Sequence, residues 1–187
     1  TYSNVKLGLS FNELISISAG MNEHANYIYM NGDALVSQTD NFSLPYLELS
    51  LDLKFGRFLM DGIIKYVSSD NIYMPLPDIT SKTSLSYLGL LKKKFQYQMG
   101  MDLFYMSELQ AYGYIPELGL FYNQNINMQS EAYRLDVFLR FKVKRFRTFF
   151  KIHHLNQLWT KSSYHYTSLY PINDLSFSLG ISWKMFY

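Results

Sequence analysis

Leu47, Leu49, Leu51, Leu53 and Phe55 are separated by Glu48, Ser50, Asp52 and Lys54. A period of two sends alternate side chains to opposite faces of an extended strand, and no helix keeps such a pattern on one side. The same alternation runs through most of the chain. Val5, Leu7, Leu9 and Phe11 are spaced by Lys6, Gly8 and Ser10, and Ile15, Ile17, Ala19 and Met21 by Ser16, Ser18 and Gly20. After Gly56 the phase switches, setting Phe58, Met60, Ile64 and Tyr66 against Arg57, Asp61 and Lys65. Phe95, Tyr97, Met99, Met101, Leu103 and Tyr105 alternate with Gln96, Gln98, Gly100 and Asp102. Residues 133–143 repeat the pattern over Arg134, Asp136, Arg140 and Lys142, and Phe146, Phe150 and Ile152 oppose Arg147 and Lys151. The last stretch, "DLSFSLGISWKMFY", places Leu175, Phe177, Leu179, Ile181, Trp183, Met185 and Tyr187 on one face.

A chain written this way is all-β, with about eleven strands expected. Tight connections fall at "FNEL", "NGD", "FGR", "LKKKF" and "VKRF", and long ones near 67–81, 106–132 and 156–173. From residue 45 onward short and long alternate. That is the signature of an antiparallel up-and-down meander with its tight turns at one end. Residues 1–187 read as a single domain without linker or low-complexity stretch.

Alternation does not say which face meets solvent. In a soluble barrel the apolar face is the core; in a membrane barrel it faces lipid, and the polar face lines the lumen. Four features favour a transmembrane β-barrel. Runs of ten or more residues match the ~9–11 needed to cross a bilayer on a tilt. Asp52, Lys54, Asp61, Lys65, Asp102, Asp136 and Arg140 sit deep in the strands, where an unpaired charge in a dry core would be strongly disfavoured. Phe55, Phe58, Tyr66, Phe95, Tyr105, Tyr133 and Phe146 crowd strand ends, as interfacial aromatic girdles do. The long loops gather at one end. A closing strand of this kind can zip against the first strand and remove both sheet edges. The competing possibility is an edge strand of a soluble ligand-binding β-domain.

The totals narrow the function. The formal net charge of +2 gives no argument for nucleic acid, and the absence of Cys leaves no thiolate chemistry. "TYSNVKL" is not a signal peptide, so the chain is expected to be processed or to be a piece of a longer one.

Three segments carry a narrower resemblance: "QMGMDLFYMSELQAYGYIPELGLFYNQN", "YRLDVFLRFKVKRFRTFFKIHHLNQ" and "YPINDLSFSLGISW". With "YIYMNGDALVSQ" and "MPLPDI" upstream, they resemble the C-terminal portion of the Bacteroidota putative porin family. The matching positions are Gly100, Tyr114, Pro116, Phe121, Gln124, Asp136, Val137, Phe138, Lys144, Arg145, Arg147, Phe149, Lys151, Tyr170, Pro171, Gly180 and Trp183. The chain departs from the pattern at the second His of "TFFKIHH" and at "SEAYRL", where a Gly is usual. The ending also resembles the terminal insertion signal of outer-membrane barrels, carried by Ser178, Gly180, Trp183, Met185 and Tyr187. The resemblance implies part of a larger barrel lacking N-terminal strands, in a Gram-negative outer membrane, with a periplasmic C-terminus. An internal count agrees, because an odd number of strands ending in the periplasm starts at the outer face.

The polar faces nominate a lumen lining of Glu48, Asp52, Lys54, Asp61, Lys65, Asp102, Asp136, Arg140, Lys142, Arg147 and Lys151. These residues read either as a lining that sets solute preference or as a ladder of ion pairs that stiffens the wall. Arg140, Lys142, Arg147 and Lys151 are expected to form a basic strip near the tight-turn end that favours anions. The 106–132 loop, with Tyr114, Pro116, Phe121 and Gln124, reads either as a constriction or cap or as a packed external loop.

His153 and His154 are adjacent and, on a strand, would point to opposite faces, while His24 and His165 fall in loops; no metal site is expected. No Ser-His-Asp order or phosphate loop is present, and no catalytic site or cofactor is expected. The function expected is passive diffusion of small polar solutes through a porin-like barrel. The alternative is a structural, loop-plugged barrel subunit of a larger outer-membrane assembly. The partners expected are outer-membrane lipid, the barrel-insertion machinery acting on the C-terminal strand, and other outer-membrane proteins. Replacing Trp183 and Tyr187 together with Ser is predicted to lower the amount of folded barrel recovered in the membrane fraction. Normal insertion with altered permeation would contradict the terminal-signal reading.

Overall fold

A computed structural model of the chain describes every residue except 34, 69–72, 92–93, 125–127, 130, 161–164, 168–169, 172–173 and 186–187. Among the described residues nine strands form one antiparallel sheet. They are β1 (Tyr2–Phe11), β2 (Ile15–His24), β3 (Phe42–Phe55), β4 (Phe58–Val67), β5 (Ile79–Leu91), β6 (Phe95–Met106), β7 (Ala132–Val143), β8 (Phe146–His153) and β9 (Ser176–Trp183). Each strand pairs with its neighbours in the chain and with no other. The sheet is open: β1 and β9 are its two edges and do not meet, so the expected zipping of the last strand onto the first is absent.

The sheet has nine strands rather than about eleven because short strands belong to the loops. "NGD" is the clearest case. It turns a small hairpin, Ile28–Met30 against Val36–Gln38, inside a long connection over residues 25–41. It is therefore no tight turn of the sheet, and short and long connections alternate from the first strand. The tight turns over 12–14, 56–57 and 144–145 lie at one end of the sheet, as does the connection after β5, whose Lys92 and Lys93 lie outside the described residues. The long connections over 25–41, 68–78, 107–131 and 154–175 lie at the other end.

Local chemistry explains the turns. Asn12 and Glu13 both take positive φ, and the Leu14 N–H closes on the Phe11 carbonyl at 3.0 Å. Two left-handed central residues give a turn whose twist matches the flanking strands, and Asn accepts that conformation readily. Gly56 takes φ +61° at the next tight turn, where it has no Cβ to clash.

Burial is inverted relative to a water-soluble sheet. On the apolar face Leu7 and Leu9 are 77% and 84% exposed, and Phe177 and Leu179 are 74% and 63% exposed. On the polar face Asp136 is 1% exposed and Ser86 5%. At the middle of the polar face the side chains cover one another, although Asp52, Lys54 and Asp61 stay exposed, whereas these apolar ones are bare.

The apolar face is banded. Phe55, Phe58, Tyr87, Tyr97, Phe95, Phe141, Phe146 and Trp183 gather at the tight-turn end, with Phe58–Tyr87 and Phe95–Phe141 ring centroids 5.1 Å apart. Tyr66, Tyr105 and Tyr133 stand at the long-loop end, the last two directly opposite each other on β6 and β7. From Phe58 to Tyr66 is about 27 Å at roughly 3.4 Å per residue, close to the ~25 Å apolar band of an outer-membrane barrel.

Nitroxide spin labels at Leu179 and at Ser178 are predicted to report opposite environments in lipid vesicles. Oxygen should broaden the label at 179, and a water-soluble nickel chelate the label at 178. The reverse pattern would contradict a lipid-facing apolar side.

Candidate functional site

The register stacks the polar face into rows. Asp52 is opposite Asp61, Asp61 opposite Ser84, Ser84 opposite Asp102, and Asp102 opposite Asp136. Four carboxylates therefore lie in one band across five strands. One pleat toward the tight turns stand Lys54, Ser86, Gly100, Phe138, Lys151 and Ser178. One pleat toward the long loops stand Lys82, Phe104 and Arg134. The acidic row is thus flanked by basic side chains on both sides, about 7 Å away at roughly 3.4 Å per residue.

Asp136 is the centre of a polar belt. Its Oδ2 lies 3.1 Å from Lys151 Nζ and 3.3 Å from His153 Nδ1. Its Oδ1 lies 3.4 Å from Arg134 Nε and accepts the His154 backbone N–H at 3.1 Å. Lys151 Nζ also reaches Asp102 Oδ2 at 2.8 Å, and the Ser84 hydroxyl donates to Asp102 Oδ1 at 2.8 Å. On the far side His153 Nε2 meets Ser178 Oγ at 2.9 Å. The belt links β5 to β9 without a gap. This is the stiffening ladder, so Lys151 leaves the expected basic strip: its charge is committed to two carboxylates.

The histidines also differ from expectation. β8 ends at His153, and His154 takes φ 58°, opening a 3-10 turn at Leu155–Leu158. The alternation of faces stops there, and the kink aims the His154 backbone N–H at Asp136. Asn156, fully buried in that turn, accepts from the Leu135 N–H and donates to the Tyr133 carbonyl, which fixes the turn on β7.

Toward the tight turns the wall changes character. A cavity of about 820 Å³ opens there between β5 and β9. Arg140, Lys142 and Arg147 line it, with Gln96 and Gln98 beside them. Lys142 and Arg147 are directly opposite on β7 and β8. The Arg140 guanidinium lies over the Phe138 ring at 4.5 Å and donates to Gln98 Oε1 at 3.4 Å. No carboxylate is among the lining residues.

The other lining residues are dispersed. Glu48 pairs with Lys6 at 2.9 Å, although β2 lies between them. Glu48 sits diagonally from Lys6 across β2, whose Gly20, opposite Lys6, is covered by the Tyr46 ring. Lys65 holds its ammonium 4.7 Å over the Tyr46 ring. Asp52, Lys54 and Asp61 are exposed on the polar face. Lys6, Ser84, Arg134 and His153 were not singled out as site residues. Their parity marks them as polar-face residues, but their partners lie on other strands.

The long loops fold over their end of the sheet. Leu44, Tyr46 and Val67 form a small buried core on the polar face, with Met74 and Leu76 of the 68–78 connection packed against it. In the 107–131 connection, Gly113–Ile115 pairs with Leu120–Tyr122, and Tyr114 and Phe121 face each other at 4.9 Å. Pro116 lies in the turn of that hairpin, and Gly119 takes φ +63°. Gln124, 4% exposed, donates to the Ala111 carbonyl at 2.8 Å. Asn123 donates its backbone N–H to Met30 and its side-chain amide to Tyr73, tying three loops together. The loop motif is thus a hairpin tied down at Asn123 and Gln124, with Pro116 and Phe121 left exposed. Burial pushes the Tyr112 hydroxyl within it up to about 12.

Gly180 has a clear local role. The Phe149 ring lies across it, and a methyl group at residue 180 would overlap that ring. Ser178 serves the belt, and Trp183 and Met185 are exposed on the apolar side. Tyr187 lies outside the described residues.

An antiparallel sheet with one charged face and one bare apolar face fits an outer-membrane β-protein, and comparison with known families agrees. The family described as putative porin matches residues 1–187, the whole chain. The chain belongs to this putative porin family. It is a porin-like outer-membrane protein. No curated protein matches it.

Removing one partner of a buried ion pair costs roughly 3–5 kcal/mol, because the remaining charge is stranded. Asp136→Ala leaves Lys151 paired with Asp102 but strands the His154 N–H, so it is predicted to lower stability by about 1–3 kcal/mol, read from urea unfolding of the vesicle-inserted protein. Asp52→Ala, at an exposed position, should change it by no more than about 0.5 kcal/mol.

Proposed function

We propose that this porin carries small polar solutes passively across the outer membrane. One observation carries the reading: large apolar side chains stand bare on one face of the sheet, while the opposite face carries the charges and their ion pairs. In water that arrangement exposes a large apolar surface, which monomeric soluble proteins avoid. In a bilayer it meets lipid outside and water inside. The tight turns then lie in the periplasm with the C-terminal edge, and the long loops outside. The unpaired backbone groups along β1 and β9 require partners in hydrocarbon, so further strands complete the barrel at these edges. Lipid is the partner of the apolar face, and the terminal strand is what insertion machinery would bind. The chain acts as a conduit and not as a catalyst, and needs no cofactor.

A second reading is supported by the long-loop end. There Leu44, Tyr46 and Val67 are packed under Met74 and Leu76 on the polar face. A lumen filled in this way belongs to a loop-plugged structural barrel within a larger assembly with other outer-membrane proteins.

Planar-bilayer recordings separate the two. A porin should conduct in potassium chloride, with a reversal potential showing preference for chloride. Arg140→Glu with Arg147→Glu should move that potential toward cation preference. No measurable conductance in either form would sink the porin reading and favour the plugged barrel.

A further inference from the structure

The cavity at the tight-turn end is not merely basic. Its opposite wall is apolar, on a face that the alternation reserves for polar residues. Leu88 and Leu90 occupy polar-face positions of β5 and are 39% and 51% exposed. Phe149 occupies a polar-face position of β8, opposite Arg140 and Gly180, and is 44% exposed. None of these three faces lipid, and none is buried in a core. Exposed apolar groups on a wetted wall are disfavoured unless something covers them. Phe149 is held by its seat on Gly180, so it presents a fixed aromatic surface rather than a mobile one.

We infer that this cavity is a binding station for an organic anion that carries an apolar or aromatic ring. Arg147 and Lys142, side by side and without a carboxylate in the cavity, supply the charge. Arg140 is pre-oriented by Phe138 and Gln98, so its remaining N–H groups can hold an acidic group in fixed geometry. Gln96 and Gln98 offer amides to carbonyl or hydroxyl oxygens. The ring would lie against Phe149 and displace water from it, with Leu88 and Leu90 lining the far side of the cavity. A volume of about 820 Å³ suits one such molecule, since ligand pockets run from ~300 to ~1,000 Å³. The polar belt one step deeper is neutralised by its own ion pairs, so the anion would meet its strongest attraction here. The inference rests on the porin reading for its meaning in transport, but binding itself does not require an open pore.

The test therefore measures binding and conductance separately on the native full-length protein in detergent and in bilayers. Isothermal titration would use phthalate, with succinate, inorganic phosphate and benzyl alcohol as comparison probes. Phthalate should bind at least tenfold more tightly than each of the others. Arg147→Gln with Lys142→Gln should weaken phthalate at least tenfold. Phe149→Leu should weaken phthalate and leave succinate unchanged. Migration of the folded band on unheated gels checks that each variant is intact, and Leu88→Gln offers a second way to remove the apolar wall. Equal binding of phthalate and inorganic phosphate, equal binding of phthalate and benzyl alcohol, or no binding of phthalate would each overturn the proposal. Chloride conductance without phthalate binding would overturn the station and leave the porin reading intact. Phthalate binding without conductance would do the reverse.

Discussion

Each strand of the sheet is hydrogen-bonded to the next in unbroken antiparallel register, and the polarity of the whole wall hangs on that register. Side chains alternate with a period of two, so a slip of one residue would move a strand's charges to the apolar face and its leucines to the polar one. The glycine–aromatic pairs pin the register. Gly20 faces Tyr46, Gly100 faces Phe138, and Gly180 faces Phe149 across neighbouring strands. Each ring occupies the space that a side chain on the glycine would need. Aromatic cover over a strand glycine restores packing that the glycine lacks, and it does so at only one alignment.

With the register set, the charges fall into layers. The acidic row is sandwiched between basic ones, so each carboxylate has a cation one pleat away. Asp136 is the extreme case, almost without solvent and held by Lys151, His153, Arg134 and a backbone N–H. Such a belt ties β5 to β9 and stiffens one part of the wall. Arg140, Lys142 and Arg147 lie outside the belt and line the cavity at the tight-turn end.

The two ends of the sheet differ for the same reason that the connections differ. Tight turns have too few residues to fold back, so the polar face there stays open and forms the cavity. The long connections have enough residues to build their own hairpins and to pack Met74 and Leu76 against the wall. The aromatic contacts of His24, Tyr27, Tyr29, Phe42 and Tyr73 belong to this end.

The alternation of single residues was enough to assign the all-β class, the strand faces, the tight-turn end and the set of polar-face charges. That information is local: it sits within one strand and needs no partner. What the sequence could not decide was which charge meets which. Lys6 reaches Glu48 only because β1, β2 and β3 are neighbours in the sheet. Lys151 belongs to the belt and Arg147 to the cavity, though both are basic polar-face residues four apart on one strand. The short hairpin at "NGD" carries a turn signal like that of a sheet turn, and its place in a loop depends on what β2 and β3 pair with. Period two fixes the face of a residue, but its neighbours on that face are set by hydrogen bonds between strands, and these form only when the sheet does.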